Sequence, residues 1–229
     1  MPGSLDGFPS LLLLADGRLP TGGHANSAGV EWASPHDDLS DPAKLAPWIA
    51  SRMRNVGFVE AAFAVAAGAS VSDQDAVSDA KLDVELSARL VGPRARAVSR
   101  QMGRQFDRLA RRLQPEATPR WAGQADGPHY ALALGATAGA YGLGATAIAS
   151  LVLHHQVASA ITAVIRLHAA DPIELAVVHA QMGDEIIDIA QLAPGWAEAH
   201  PSDLPSNSMA LAEILAEDHG CWDSRLFVA

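Results

Sequence analysis

The chain has 229 residues, a formal net charge of -10 and 49% hydrophobic residues, with only 5% aromatics. This balance provides a core, and its alanine-rich, aromatic-poor content favours packed helices over strands. It disfavours indiscriminate binding to nucleic acid, because phosphates repel an acidic protein. The single cysteine, Cys221, excludes an internal disulfide. Since the first residues lack the pattern of a secretory signal, a cytoplasmic location is predicted.

The segment from Leu11 to Trp32, LLLLADGRLPTGGHANSAGVEW, passes from an apolar run through a proline-glycine turn into small polar residues. Pro20 fixes its own backbone φ, and Gly22 permits conformations closed to other residues. The segment therefore predicts a helix, a shaped turn and a second helix. Asn26 or Ser27 is expected to cap this second helix, because a short side-chain oxygen accepts from a free backbone N–H one turn on.

The next segment is dense in apolar residues and is predicted to be helical core. Asp41 followed by Pro42 resembles a helix start with proline in its first turn. Pro47, however, suggests that the regular helix begins only around that residue, since proline removes a helical N–H. Two helical pieces are expected between residues 48 and 69, meeting near Gly57. Ser72 with Asp75 resembles a capping box and predicts a polar helix from about residue 73 to about residue 90.

Residues 93–113 form the clearest helical pattern, with apolar residues on one face at three- and four-residue spacing. The opposite face carries an arginine every fourth residue, and eight of the chain's 16 basic residues lie between Arg89 and Arg112. Two interpretations are open for this arginine stripe: a solvated helix face, or a docking face for an acidic partner. Its members are Arg96, Arg100, Arg104, Arg108 and Arg112.

The second half of the chain predicts four more helices. Residues 130–140 and 145–169 carry few charges, but glycines interrupt them, which favours buried helices over a membrane span. Asp171 is expected to cap a helix that runs to about Leu192. Ser208 is expected to cap a short final helix through about Glu217. The sequence therefore predicts an all-α, single-domain bundle of about eight to ten helices.

The sequence contains no arrangement of residues that is typical of an enzyme active site. The chain's two lysines stand in no phosphate-binding loop, and no glycine-flanked serine elbow surrounds Ser27. His219 and Cys221 form a His-x-Cys pair, which is a weak metal candidate without two further ligands at fixed spacing. The adjacent His154 and His155 point about 100° apart on a helix and do not easily share an ion.

Two motifs at opposite ends of the chain resemble the urease accessory protein UreF family. The first is a leucine-rich helix followed by Leu-Pro-x-Gly-Gly, a serine and Gly-hydrophobic-Glu. The second is a histidine shortly before Ser-Arg-Leu-Phe. In this sequence the motif positions are Leu19, Pro20, Gly22, Gly23, Ser27, Gly29, Glu31, His219, Ser224, Arg225, Leu226 and Phe227.

The resemblance implies an all-helical, cytoplasmic, dimeric scaffold that is not an enzyme. It implies that the chain joins UreD, also called UreH, and recruits the GTPase UreG, so that the assembly delivers nickel to apo-urease. No tightly bound cofactor is implied, and residues 1–9 and 223–229 are expected to order when partners bind. Partner binding is expected at Pro20, Gly22, Gly23, Ser27, Glu31, Arg225, Leu226 and Phe227, with Arg100 and Arg104 added from the arginine stripe.

The sequence also allows a second class of function. The stripe from Arg96 to Arg112 is also compatible with a helical nucleic-acid-binding regulator. Such a protein would bind duplex DNA with a steep dependence on salt. The acidic net charge and the absence of a helix-turn-helix spacing near the stripe weigh against this alternative.

Overall fold

The computed structural model describes residues 7–23, 26–70, 76–115, 120–121, 124, 126–219, 221 and 226–227. These residues contain twelve α-helical segments and no strand, which confirms the all-α prediction. The segments are α1 (Phe8–Ala15), α2 (Val30–Ala33), α3 (Pro42–Arg52), α4 (Phe58–Ala69), α5 (Ala76–Arg89), α6 (Pro93–Leu113), α7 (Tyr130–Ala140), α8 (Ala145–His168), α9 (Pro172–Gln181), α10 (Gly183–Ala190), α11 (Ala193–Ala197) and α12 (Ala210–His219).

Helix starts follow the local sequence where a capping residue precedes a proline. The side chain of Asp41 accepts a hydrogen bond from the N–H of Ala43 at 2.9 Å, and Pro42 opens α3. Asp171 accepts from the N–H of Ile173 at 2.9 Å, which confirms the predicted cap of α9. In both helices the proline occupies a position whose N–H would have no intrahelical partner.

The prediction that a regular helix begins only around Pro47 is wrong. Helix α3 begins at Pro42 and contains Pro47. The Asp41 cap fixes the first turn, and the helix tolerates the backbone bond that Pro47 cannot make. A π-helical turn, Met53–Gly57, then joins α3 to α4. The expected meeting of two helical pieces near Gly57 is confirmed, whereas Ser72 and Asp75 of the predicted capping box lie outside the described residues.

The core forms where α4, α7 and α8 pack together. Helix α4 contributes Phe63, which is completely buried, and every residue from Ala131 to Ala138 of α7 is buried. The backbones of α4 and α7 approach very closely, since a Cβ added at Gly135 would lie 2.0 Å from the carbonyl oxygen of Ala64. Small residues make this approach possible, and the predicted helices at 130–140 and 145–169 are confirmed.

Helix α8 is the only described helix long and apolar enough to cross a membrane, judged by length and hydropathy. Over half of its most apolar window, 56%, is buried against the rest of the fold. Residues such as Leu153, Val157 and Val164 are completely buried there. The helix therefore has the burial of a core helix.

The long helix predicted from Asp171 to about Leu192 is wrong in one respect, because it is two helices. Helix α9 ends at Gln181 and α10 begins at Gly183. Glycine has the lowest helix propensity apart from proline, and it disfavours a continuous helix at this point. The helix predicted at 93–113 is α6, which confirms that assignment.

Candidate functional site

The turn after α1 depends on three residues in the left-handed region of backbone conformation. Gly22 has φ 78°, Ala28 has φ 51° and Gly29 has φ 92°. Gly22 also lies against a neighbouring helix, since an added Cβ would be 2.5 Å from Oε1 of Gln105 on α6. A side chain at Gly22 would therefore be strained by its own backbone and would also displace Gln105.

The prediction that Asn26 or Ser27 caps the second helix is wrong. Oδ1 of Asn26 accepts from the N–H of Ala28 at 2.9 Å, and Oγ of Ser27 accepts from the N–H of Gly29 at 3.2 Å. Helix α2 then starts at Val30 without a side-chain cap. Because Ala28 and Gly29 are left-handed, both side chains hydrogen-bond two residues on and shape the turn instead.

Glu31 joins the two ends of the chain. Its side chain is buried, and one carboxylate oxygen lies 2.9 Å from Nε2 of His219. The other oxygen accepts from the N–H of Leu226 at 2.5 Å, and Phe227 donates its N–H to the carboxylate at 3.0 Å. We call this group, Glu31 with His219, Leu226 and Phe227, the tail clamp. The two motifs that resembled one family are thus in direct contact.

Three donors compensate for burying the Glu31 carboxylate. An ionised carboxylate without partners would be very costly away from water, whereas hydrogen bonds to a charged acceptor are about twice as strong as neutral ones. Two of the donors are backbone N–H groups, which no substitution other than proline can remove. The clamp therefore fixes the course of the tail backbone rather than the identity of its side chains.

The two tail side chains have opposite exposures. Phe227 is 4% exposed, and the guanidinium of Arg166 on α8 lies 4.5 Å from its ring centroid. Leu226 is 52% exposed. Both residues were expected to order on partner binding, and here they already contact Glu31 within the chain. Arg225 and the remaining residues of 223–229 lie outside the described residues.

The metal candidates His219 and Cys221 differ in environment. His219 is 1% exposed and its Nε2 is engaged by Glu31. Cys221 is exposed, and its thiol donates to the carbonyl of Glu217 at 3.9 Å. Within the described part of the chain, no group of three or more His, Cys, Asp or Glu residues has the spacing of a metal site. The described residues therefore supply no third ligand to this pair.

A cavity of about 150 Å³ opens beside the turn that precedes Glu31. Asn26, Gly29 and Trp32 form one wall, and residues of α3, α4, α6, α7, α8 and α12 line the rest of the cavity. The N-terminal motif therefore borders both the tail clamp and this cavity.

Polar side chains from three elements line the cavity. Nε of Arg52 donates to Oε1 of Gln156 at 3.1 Å, and the Gln156 amide donates to Glu60. Burial raises the pKa of Glu60 and lowers the pKa of Arg52, because both charged forms lose water. Arg52 and Glu60 thus both hydrogen-bond the side-chain amide of Gln156, and groups of opposite charge lie close together in the cavity.

A second polar pair lies in the same wall. The hydroxyl of Tyr130 is 2.8 Å from Nδ1 of His155. Burial lowers the pKa of His155 to about 4 and raises the pKa of Tyr130. Both groups are therefore neutral at neutral pH, and the pair acts as a structural hydrogen bond between α7 and α8.

Most of the arginine stripe is engaged within the chain. Arg100 donates to both carboxylate oxygens of Asp83, at 3.1 and 2.8 Å, and to the carbonyl of Gly127 at 2.6 Å. Arg104 donates to the carbonyl of Asp126 at 2.7 Å and Arg96 to that of Leu90 at 2.7 Å. The exposed Arg108 and Arg112 have no partner among the described residues.

The other predicted partner-binding residues are distributed unevenly. Pro20 is exposed, Gly23 is half-buried and Ser27 is completely buried. Pro20 and Leu226 therefore offer surface to a partner. Gly22, Ser27 and Glu31 lie beneath this surface, where they shape the backbone that carries the exposed residues.

Comparison with known proteins identifies the family. The UreF family model matches residues 39–183. The urease accessory protein UreF of Mycolicibacterium vanbaalenii is 35% identical over 94% of this chain and 95% of its own length. The chain belongs to the UreF family. UreF proteins of Mycobacterium sp. JLS and Mycobacterium tuberculosis are 34% and 35% identical, each over 96% of this chain and over 98% and 97% of their own lengths.

These UreF relatives are named as accessory proteins and not as enzymes. The UreF family model does not extend to either terminal motif, whereas the alignments with the relatives cover nearly the whole chain. The resemblance seen in the motifs is therefore confirmed by one match over residues 39–183 and by others over nearly the whole chain.

Sequence reasoning missed two features of the site. It assigned Glu31 to a surface, yet Glu31 is buried between Val30 and Trp32, which are themselves buried. The apolar neighbours were the available signal, since a carboxylate in a buried turn of helix requires donors. Arg166 was also missed, because nothing in the local pattern of α8 indicates that Phe227 lies against it.

Proposed function

We propose that this chain is a urease accessory scaffold. It binds UreD, also called UreH, and recruits the GTPase UreG, and the assembly inserts nickel into apo-urease in the cytoplasm. Nickel is the cargo of that assembly, and this chain holds no tightly bound cofactor. On this proposal the chain is a homodimer that binds neither nucleic acid nor membrane.

The observation that carries the proposal is the near-complete alignment with proteins named urease accessory protein UreF. The chain also lacks a phosphate-binding loop of its own, so a separate GTPase would supply nucleotide hydrolysis. The site is compatible with a scaffold, since its buried polar groups hold backbone segments in place.

The tail clamp provides a mechanism for partner binding. By holding the backbone at residues 226–227, Glu31 keeps Leu226 at the surface with half of its area exposed. A partner that covers Leu226 then binds a segment that is already ordered, so it avoids much of the entropy cost of ordering it. We assign this surface to UreD.

The nucleic-acid alternative loses support from the stripe. Arg96, Arg100 and Arg104 donate to carbonyl or carboxylate oxygens of the same chain. Phosphate contacts would have to compete with these bonds, and Arg108 and Arg112 alone form a small positive surface on an acidic protein.

The test is complementation in a urease-positive strain whose own UreF gene is deleted. The wild-type chain is expected to restore nickel-dependent urease activity and to co-elute with UreD and UreG in size-exclusion chromatography. Leu226→Asp is expected to lose both, because it places a charge on the proposed contact. Ile214→Asp is the matched control, since Ile214 is also a well-exposed aliphatic residue, at 66%.

Failure of the wild-type chain to bind either partner or restore urease would overturn the proposal. If the wild type succeeds but Leu226→Asp binds UreD as well as Ile214→Asp does, the scaffold role stands and the assignment of the Leu226 surface to UreD is wrong.

A further inference from the structure

A pair of histidines outside the tail clamp joins α8 to α9. Nε2 of His179 lies 3.3 Å from Nδ1 of His154, and the ring centroids are 4.9 Å apart. Both rings are half-buried, so solvent and small ions reach them. Sequence spacing hid this pair, because the two residues lie on different helices and His154 was weighed only against its neighbour His155.

The hydrogen bond between the two rings places one proton between the facing nitrogens. Which of the two nitrogens donates depends on the tautomer of each ring. If that proton moves to the far nitrogen of its own ring, both facing nitrogens present lone pairs to one point.

The separation of the two nitrogens suits a shared metal ion. With metal–nitrogen bonds of about 2.0 to 2.1 Å, two ligands of a tetrahedral ion lie about 3.3 Å apart. The observed separation between Nε2 of His179 and Nδ1 of His154 is also 3.3 Å.

Both rings are in the protonation state that a metal requires. Burial lowers the pKa of His154 and of His179, so each is neutral at neutral pH. Imidazole suits Zn²⁺, Ni²⁺ and Cu²⁺. The described residues provide no third ligand of the His, Cys, Asp or Glu type, so water would complete the coordination.

We propose that His154 and His179 form a two-histidine site that binds a divalent transition-metal ion between α8 and α9. The ion replaces the hydrogen bond between the facing nitrogens, the proton of that bond moves to the far nitrogen of its own ring, and the two helices are linked. This site is separate from the tail clamp, and its existence does not depend on the proposed urease function.

The test uses the full, tag-free chain with Cys221→Ser, which removes the exposed thiol as a competing ligand. Zn²⁺ is titrated calorimetrically near neutral pH, and thermal unfolding is followed with and without Zn²⁺. His154→Gln and His179→Gln are each expected to weaken Zn²⁺ binding by about tenfold or more. The double variant is expected to lose little more than either single variant, since both side chains bind one ion.

His168→Gln is the matched control. His168 is an exposed histidine of α8 that is 3.0 Å from Oγ of Ser34, and its replacement is expected to leave the affinity unchanged. Zn²⁺ should raise the melting temperature of the parent and of the control, but not of His179→Gln. Helical circular dichroism shows whether each variant is folded.

The proposal is overturned if the parent does not bind Zn²⁺, or if both single variants retain the parent's affinity. An equal loss in His168→Gln would also overturn it, because it would indicate general histidine binding. Since the assay contains neither partners nor urease, its outcome is independent of the complementation test.

Discussion

The contact of α4 with α7 and the tail clamp hold the molecule together by opposite means. At the first, glycines remove side chains so that two backbones touch, with Gly135 against Ala64. At the second, one buried carboxylate hydrogen-bonds His219 and two backbone N–H groups from a distant part of the chain. The contact between α4 and α7 depends on glycines that lack side chains, whereas the tail clamp depends on one carboxylate.

The contact between α4 and α7 therefore serves the stability of the fold, whereas the tail clamp serves the proposed binding of a partner. A backbone contact between apolar helices has no easy alternative geometry, so it fixes the fold once formed. The clamp depends on the single side chain of Glu31, so its release is expected to leave the helical body packed. The tail to which we assign partner binding is thus held to the fold by a single carboxylate.

The largest expected effect is on the α4–α7 side. Gly135→Ala places a Cβ against backbone that cannot move aside, and it should lower the free energy of unfolding by about 3 kcal/mol or more. Urea denaturation followed by circular dichroism measures it. Gly183→Ala is the control, because no atom lies within 4 Å of its added Cβ, and it should change stability by less than about 1 kcal/mol. Equal midpoints for the two variants would contradict the packing argument.

Acid should weaken the same side through His129, which precedes α7 and lies between Ser99 and Ser87. Burial lowers its pKa from 6.5 to about 4. The unfolded chain therefore binds a proton that the folded chain does not, and stability is lost as pH falls from about 6.5 towards about 4.

The contribution of His129 to this loss is expected to reach about 3 kcal/mol. His129→Gln should flatten the dependence of unfolding free energy on pH over that interval, whatever its effect at neutral pH. Denaturation curves at a series of pH values measure the slope. Parallel slopes for wild type and variant would exclude His129 as the responsible group.

A smaller effect is expected from the clamp. Glu31→Gln removes the charge that receives three donors, and it should cost about 2 kcal/mol. Hydrogen exchange at the amides of Leu226 and Phe227 should accelerate, while exchange in α4 and α7 changes little. Glu85→Gln is the control, since Glu85 pairs with Arg89 one helical turn away. Unchanged exchange at residues 226–227 would show that Glu31 does not hold the tail.

The smallest effect is expected from the ring contact that supports the clamp. Arg166→Met removes the cation above Phe227 and should loosen the tail by about 0.5 to 1 kcal/mol. The same amide exchange measures it, with Arg112→Met on the exposed part of α6 as control. A loss as large as that of Glu31→Gln would mean that Arg166, and not the carboxylate, is the main attachment.

The sequence predicted the parts of the fold that depend on local chemistry. Asp171 before Pro172 marks a helix start that needs no tertiary information. The bounds of α6 follow from periodicity and flanking prolines, and those of α7 from an uncharged run that is followed by glycine. Pro47 misled because its penalty of about 3 kcal/mol is offset by the packing of α3, in which Leu45 and Ile49 are buried.

The site was less predictable, because its contacts join distant segments. Glu31 and His219 are 188 residues apart in the chain, and no periodic pattern relates them. The two motifs could be recognised separately, but only the fold brings them together. Arg100 misled for the same reason, since its place in a regular stripe conceals the carboxylate of Asp83 on α5.

The π-helical turn Met53–Gly57 has a consequence for Arg52 and Glu60, which both bind Gln156. In a regular α-helix, residues eight positions apart point about 80° away from each other. One extra residue taken up by a π turn reduces that offset to about 20°, so the two side chains face the same amide. Deleting a single residue here would restore a regular α-helix in which the two residues are seven positions apart, and their offset would stay at about 20°. The π turn therefore keeps the side chains of Arg52 and Glu60 on the same face, although the segment contains one residue more than a regular helix would need.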